Sequence, residues 1–288
     1  MKFWNSIMSG LVLAPLAMAG CPSDDTMADT ETASASSSTT SDDTTSGSST
    51  AVADSSTGMP TTTGDETGEP FDCHADRPVP AAPVDCSGAT MVIDGSIIIE
   101  DGGDTPAALD GVIEVTGAVR INRTAETNLD FMACLQTVGA DVTIFGNEQL
   151  TNVDGLWSLT SIGTDFVFSQ NNALVDFNGL PNVAQLVDNL VMRENASLET
   201  ITGFNSLVGI NGSVNDMGEM QGGNITIQEN PVLMDVNGLG EVLVVNGVFA
   251  VNNNPMLCQS SVACVGTGIV QPAVPPPTWT IVGNNDEC

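Results

Sequence analysis

Apolar positions recur along this chain at a fixed interval. Each unit has apolar residues spaced by three, then an apolar pair spaced by two, then an Asn followed three positions later by a Leu. The interval is constant except for one longer gap after Asn195, and the Asn positions are Asn147, Asn171, Asn195, Asn230 and Asn254. The Leu positions are Leu150, Leu174, Leu198, Leu233 and Leu257. A repeat of about 24 residues indicates a solenoid, in which each coil buries its apolar residues against its neighbours.

The spacing within a unit predicts short strands joined by tight corners. Phe166 and Phe168 form the apolar pair of the clearest unit, and period two with aromatic or β-branched residues indicates a strand with both side chains inward. The preceding triplet, spaced by three, leaves no room for a full helix and favours a 3₁₀ turn or a bent extended segment. Five or six such coils are recognisable, so the fold class is all-β, a parallel solenoid.

Two corner positions are marked in every strong repeat. A Gly recurs at Gly155, Gly179, Gly203 and Gly238, and an Asp, Asn or Thr precedes each one. Asn or Asp before Gly tolerates a positive φ and makes tight turns. The repeated Asn is interpreted as a buried ladder, because its amide both donates to and accepts from an adjacent coil.

These repeats resemble the receptor L domain found in insulin and EGF receptor ectodomains. The resemblance covers residues 90–260, is strongest over 131–258, and rests on the run G-L-x-x-L-x-x-I followed by the apolar pair and N-x-x-L. Ordinary leucine-rich repeats place a Leu two residues after the Asn, not three. The resemblance implies a right-handed β-solenoid and a role in ligand binding or adhesion without catalysis. It implies no particular binding residue.

The segment Met1–Gly20 is typical of a secretory signal. Lys2 precedes a short apolar run, and small residues lead to Cys21. Ala19-Gly20-Cys21 resembles a bacterial lipobox, which implies a lipid on Cys21 and a place in the bacterial cell envelope, at the outer membrane or cell surface. Cleavage after Ala17-Met18-Ala19 without a lipid is the alternative.

Residues 21–70 predict a disordered stalk before the solenoid at 71–288. Residues 22–70 contain 24 Ser or Thr and ten acids, and no Lys, Arg, Leu, Ile, Phe or Trp. Such a segment cannot bury enough apolar surface to offset the entropy lost on ordering. The whole chain has a formal net charge of −31, which disfavours nucleic acid as a partner. The acidity suits either a soluble surface or cationic partners.

Six further cysteines are candidates for disulfides, because the chain is predicted to be exported. They lie toward the two ends of the solenoid, at Cys73, Cys86, Cys134, Cys258, Cys264 and Cys288. Fifteen pairings are possible. The local pairing of Cys73 with Cys86 is the simplest expectation.

Catalytic signals are weak. The single His, His74, has no Ser or Cys partner at a recognisable spacing. Glu194 and Glu229 share one position of the repeat and suggest either a glycosidase-like carboxylate pair or outward solvated acids. The loop with Glu100, Asp101 and Asp104 suggests a cation site but lacks the ligand spacing of an EF-hand. No metal ligand set and no cofactor motif is predicted.

An insertion accounts for the long gap between repeats, and it is the candidate binding loop. It carries Asp216, Met217, Glu219 and Met220. A loop longer than its neighbours often carries a binding site, and the alternative is a tolerated surface insertion.

The predicted function is therefore a lipid-anchored surface protein. Its non-catalytic solenoid would bind an extracellular protein or glycan, and the chain would contact a membrane only through the lipid. Two rivals remain open at this point: a polysaccharide lyase or hydrolase on a parallel β-helix, and a structural envelope protein without a soluble ligand.

Overall fold

The computed structural model describes residues 82, 84–272 and 279–288. All of them lie in one compact unit, Thr63–Cys288. The predicted signal peptide, Cys21, the stalk, Cys73 and His74 lie outside the described residues. The described part is a parallel β-solenoid of about seven turns with coils of about 24 residues. The all-β fold class predicted from the repeat is confirmed.

Nineteen short strands are present in the described residues. In chain order they are β1 (Met91–Ile93), β2 (Ile97–Ile99), β3 (Val112–Val115), β4 (Val119–Asn122), β5 (Thr137–Val138), β6 (Val142–Phe145), β7 (Ser161–Ile162), β8 (Phe166–Ser169), β9 (Asp176–Phe177), β10 (Gln185–Leu186), β11 (Leu190–Arg193), β12 (Thr200–Ile201), β13 (Gly209–Ile210), β14 (Ser213–Val214), β15 (Met220–Gln221), β16 (Ile225–Gln228), β17 (Val244–Val245), β18 (Phe249–Asn252) and β19 (Thr280–Val282).

One side of the solenoid is an eight-stranded parallel sheet, here called the long sheet. Its order is β19-β18-β16-β11-β8-β6-β4-β2, and each strand pairs in register with the equivalent strand of the next coil. A second side carries the sheets β1-β3-β5-β7 and β10-β13-β17, and a third has only the pair β9-β12. The one antiparallel pair among the described strands is β14-β15.

The core is a single column of inward-facing apolar side chains. Phe166, Phe168, Met192 and Ile227 have no exposed surface, as the period-two spacing predicts. The triplets spaced by three form 3₁₀ turns in four coils, at Pro106–Leu109, Asp130–Met132, Asp154–Leu156 and Asn237–Leu239. The alternation of buried and outward residues thus fixes which face of the long sheet meets solvent.

The repeated Asn residues form the predicted buried ladder. Each side-chain oxygen accepts the backbone N–H of the Asn one coil earlier, at 3.0–3.1 Å from Asn171 through Asn254. Each amide nitrogen also donates to a backbone carbonyl of the earlier coil, such as Asn171 to Ile144 at 2.9 Å. The ladder extends beyond the repeat to Thr124 at one end and Asn284 at the other. It satisfies polar groups that would otherwise be buried without partners.

The predicted reason for the corner glycines is wrong. Gly155, Gly179, Gly203 and Gly238 are not among the glycines with positive φ. Gly155, Gly203 and Gly238 are required because successive coils approach closely: a Cβ on Gly155 would lie 1.8 Å from the carbonyl oxygen of Leu129. A Cβ on Gly179 would meet only side chains, the nearest at 3.1 Å. Left-handed residues occur instead directly after two of these glycines, at Leu180 and Phe204, and at another corner, directly before each ladder residue.

Disulfides join residues near the two ends of the solenoid. Cys86 is bonded to Cys134, and Cys258 to Cys288. Cys264 is also disulfide-bonded. The expected local pairing of Cys73 with Cys86 is therefore wrong, because the fold brings Cys86 to a residue 48 positions away.

The C-terminal end contains an α-helix that the sequence analysis missed. Helix α1 spans Gln259–Gly268 and is the only α-helix among the described residues. Val262 and Val265 are buried, and Ile269 follows with little exposure. The helix thus adds apolar residues to the C-terminal end of the core, against which Ile281 of β19 also packs.

Candidate functional site

The candidate binding loop is an antiparallel hairpin that interrupts the coil between β13 and β16. Strands β14 and β15 pair Ser213 with Gln221 and Val214 with Met220. Met217 at the tip is 79% exposed and Val214 is 62% exposed. Asp216 and Glu219 are also exposed. The insertion therefore presents apolar and acidic groups together to solvent.

The tip of the hairpin is ordered by one side chain. The Asn215 side-chain oxygen accepts the backbone N–H groups of Met217 at 3.0 Å and Glu219 at 2.9 Å. Its amide donates to the Glu219 carboxylate at 3.1 Å. Gly218 takes a φ of 79°, which suits a residue without a Cβ. The loop is a pre-organised turn, which lowers the entropy lost when it binds a partner.

The base of the hairpin is packed tightly against the neighbouring coils. Gly222 and Gly223 have φ values of 67° and 73°, and a Cβ on Gly223 would lie 3.0 Å from the backbone nitrogen of Gly247. The backbone N–H of Gly223 donates to the carbonyl of Asp188 at 2.6 Å. Tight packing at the base and exposure at the tip make the hairpin a fixed projection.

The two acids that share a repeat position, Glu194 and Glu229, lie on a left-handed corner. The residues of this corner have φ between 52° and 71°: Arg123, Gly146, Gln170, Glu194, Glu229, Asn253 and Gly283. The Glu194 carboxylate accepts from the Gln170 amide and lies 3.6 Å from Arg193 Nε. The left-handed backbone and the polar neighbours explain why polar residues occupy this position of the repeat. This agrees with the interpretation of Glu194 and Glu229 as outward solvated acids.

The acidic loop after β2 covers a sheet edge. Asp104 Oδ2 accepts the backbone N–H of Ile98 at 2.8 Å, and the Asp104 backbone N–H donates to the Ile98 carbonyl at 2.8 Å. These bonds occupy the outer edge of β2, where an unpaired strand would otherwise invite another chain. Within residues 84–272 and 279–288, no three His, Cys, Asp or Glu side chains are grouped as metal ligands would be.

The outward face of the long sheet differs in charge from the rest of the chain. None of its eight strands contains Asp or Glu, although the chain has 36 of them. Acids lie at both borders, with Asp141 and Asp165 before β6 and β8 and Glu194 and Glu229 after β11 and β16. At about 4.8 Å per strand, this acid-free face is about 34 Å long.

Arginine and small aliphatic side chains project from this face. Val167 and Val191 are opposite each other on β8 and β11, and Arg193 is the exposed end of β11. Arg120 makes two hydrogen bonds to Asp141, at 2.9 and 3.0 Å, and this guanidinium lowers the pKa of the Asp141 carboxyl. Arg123 lies over the Phe145 ring at 4.7 Å. All three described arginines therefore lie on or beside the long sheet.

Residues 90–177 match the family model of the receptor L domain. The solenoid is receptor L-domain-like. The matched segment ends at Phe177, whereas the solenoid continues with the same strand register through β18. No curated protein and no solved structure shows a significant match to the chain.

The receptor L domain is a ligand-binding domain without enzymatic activity. The L-domain-like solenoid offers two exposed features suited to binding, the long sheet and the hairpin. Sequence reasoning found the hairpin from its spacing and missed the acid-free face. Absence of Asp and Glu from these eight strands was visible in the sequence once equivalent positions of the coils were aligned. Among the described residues, no helix is both long enough and apolar enough to cross a membrane.

Proposed function

We propose that this chain is a lipid-anchored protein of the bacterial cell surface that recognises an extracellular protein or glycan through its L-domain-like solenoid. The signal-like segment Met1–Gly20 and the lipobox-like Cys21 support the anchor. The Ser- and Thr-rich segment of residues 21–70 would hold the solenoid away from the membrane. The non-enzymatic character of the receptor L domain supports recognition over catalysis.

The observation that carries this proposal is the acid-free outer face of the long sheet. In a chain of net charge −31, a partner that docks on an acidic part of the surface must cover carboxylates, and desolvating an unpaired carboxylate is costly. Docking on Val167 and Val191 buries aliphatic surface, while neighbouring Thr, Ser, Asn and Gln side chains supply hydrogen bonds. A flat, mixed surface of this kind suits a protein or glycan better than a small molecule.

Replacing both valines by Glu, V167E/V191E, should abolish partner binding. Two carboxylates would then lie in the middle of the docking face and would have to be desolvated on binding, which we expect to weaken affinity by at least about a hundredfold. The measurements are a glycan array and affinity capture from envelope extract, both with the full-length chain. Val175→Glu is the matched control, because Val175 is exposed on another side of the solenoid.

The outcomes separate the rival functions. Partner binding that survives V167E/V191E would exclude the long sheet as the site. Absence of any captured protein or glycan with the unmodified chain would favour a structural envelope protein. Release of products from pectin, alginate or chitin would favour the polysaccharide-degrading enzyme.

Cys21→Ser should move the chain from the membrane fraction to the soluble fraction. The lipid would be attached to the thiol of Cys21, which Ser lacks. Loss of the acyl chains removes about 0.8 kcal/mol of membrane binding per buried methylene. Ultracentrifugation of cell lysates and the intact mass of the purified chain measure this. If the chain without the substitution has an intact mass that shows cleavage before Gly20 and no acyl group, the lipid anchor is contradicted.

A further inference from the structure

A row of exposed aliphatic side chains lies at the corner before the sheet β10-β13-β17. Val208, Leu243 and Val270 are 37, 43 and 65% exposed. Backbone hydrogen bonds stack them on successive coils, from Leu243 N–H to the Val208 carbonyl at 2.9 Å and from Val270 N–H to the Leu243 carbonyl at 2.8 Å. Val208 in turn stacks on Ala184. These four residues are called the aliphatic row.

In earlier coils, the repeat position equivalent to the aliphatic row is occupied by polar residues. Gln136 and Thr160 precede the row, are exposed, and are joined by a backbone hydrogen bond of 2.9 Å. The change to apolar residues occurs at Ala184, one coil before the hairpin leaves the solenoid. Single exposed apolar residues are ordinary, but a continuous row of them is characteristic of interaction surfaces. Two irregularities of the repeat, the hairpin and the aliphatic row, thus coincide on neighbouring coils.

The hairpin adds further exposed apolar side chains to the coil that contains Val208. It begins directly after β13, whose first residue follows Val208 in the chain. Val214 and Met217 are exposed apolar side chains of the hairpin. The aliphatic row and these two residues are together called the hairpin–row surface.

The charge around the hairpin–row surface is of one sign. No Lys, Arg or His follows Arg193 in the sequence, whereas nine Asp and Glu do. Three of these acids are exposed near the surface: Asp216 and Glu219 on the hairpin, and Glu241 two residues before Leu243. A second copy of this chain or another acidic partner would be repelled there. A partner that packs on the aliphatic row must supply basic groups to these carboxylates.

We propose that the hairpin–row surface binds a segment of a partner protein that combines apolar and basic side chains. The apolar side chains pack on Val208, Leu243 and Val270, and Lys or Arg side chains meet the carboxylates at the border. Apolar contacts in the centre and charges at the rim are the usual arrangement of protein interfaces. This site is separate from the long sheet and does not depend on the function proposed for that sheet.

The test uses three synthetic peptides of equal length as probes. One alternates Val and Lys, one alternates Ser and Lys, and one alternates Val and Glu. Binding of each to the full-length chain is measured by fluorescence anisotropy at low and at physiological salt. The Val/Lys peptide should bind at least about tenfold more tightly than the Ser/Lys peptide, because only the former buries apolar surface on the row. Its affinity should fall as salt increases.

Two variants of the chain locate the site. V208S/L243S should weaken Val/Lys binding by about tenfold or more, and D216N/E219Q should weaken it and reduce its salt dependence. The matched controls are V175S/M234S, which removes aliphatic side chains of similar exposure on another side, and Glu199→Gln. Both controls should bind as the unmodified chain does. Thermal unfolding midpoints establish that each variant is folded.

Several results would overturn the proposal. Among the peptides, these results are equal binding of the Val/Lys and Ser/Lys peptides, tighter binding of the Val/Glu peptide than of the Val/Lys peptide, or no binding of any of the three. Among the variants, the result is an equal loss of affinity for the Val/Lys peptide in V208S/L243S and V175S/M234S. None of these measurements involves Val167 or Val191, so this proposal and the one for the long sheet fail or stand separately.

Discussion

Phe177→Ala should lower the free energy of unfolding by about 4 kcal/mol. Phe177 is fully buried on the third side of the solenoid, where the coil contributes only the short strand β9. Its ring centroid is 5.7 Å from that of Phe166, 5.2 Å from Phe168 and 5.1 Å from Phe204. Truncation removes the ring that contacts all three of these residues and leaves a cavity in the core of the stacked coils.

Urea unfolding of the full-length chain measures this loss. Phe145→Ala is the matched control, because Phe145 points outward from β6, is only half-buried, and stacks with one cation, Arg123. We expect that control to cost about 1 kcal/mol. Equal losses for the two substitutions would mean that the inward and outward faces have been assigned wrongly.

The inward residues could be predicted because their periodicity is local. Phe166 and Phe168 are two positions apart within one strand, and the alternation alone places both on one face. The Asn ladder was predictable for a related reason. A buried amide repeated once per coil has no partner other than its equivalents on the neighbouring coils, and the bonds from Asn171 to Asn195 have this form.

The ends of the ladder could not be predicted from the repeat. Thr124 closes the N-terminal end by donating its backbone N–H and its hydroxyl to the Asn147 oxygen, at 2.9 and 2.8 Å. Asn284 closes the other end, at a separation of 30 from Asn254, whereas Asn230 and Asn254 are separated by 24. A different residue type and a different spacing both fall outside a pattern defined by identical residues at a fixed interval.

Two features that depend on contact between coils, the corner glycines and the pairing of Cys86, were interpreted wrongly. A Gly after Asp, Asn or Thr has the same appearance whether the chain needs a positive φ or needs room for a neighbouring backbone. Gly203 serves the second purpose, since a Cβ there would lie 2.2 Å from the carbonyl oxygen of Gly179. The pairing of Cys86 with Cys134 likewise follows from stacking and not from closeness in sequence.

The two exposed surfaces show why a binding site is harder to predict than a fold. The aliphatic row consists of residues such as Val208 and Leu243, which are of a common type and belong to no motif. Their exposure becomes apparent only when equivalent positions on successive coils are superposed. The hairpin was found because it changes the spacing of the repeat, which a sequence shows directly.

Gly155→Ala should lower the free energy of unfolding by more than about 3 kcal/mol, even though it adds one methyl group. The added Cβ would lie 1.8 Å from the oxygen and 2.3 Å from the carbon of the Leu129 carbonyl. Backbone of an adjacent coil cannot rotate away as a side chain can, so the two coils must separate locally. Because Gly155 does not have a positive φ, the substitution tests close approach without adding backbone strain.

Gly209→Ala is the control for this experiment, since a Cβ there meets nothing nearer than 3.4 Å. Urea unfolding should show little change for the control, and amide hydrogen exchange should show faster exchange for Gly155→Ala around Asp130–Met132 and Asp154–Leu156. Separated coils would also weaken the contacts between these two 3₁₀ turns. A Gly155→Ala chain as stable and as well protected as the Gly209→Ala chain would show that the coils are not this close in solution.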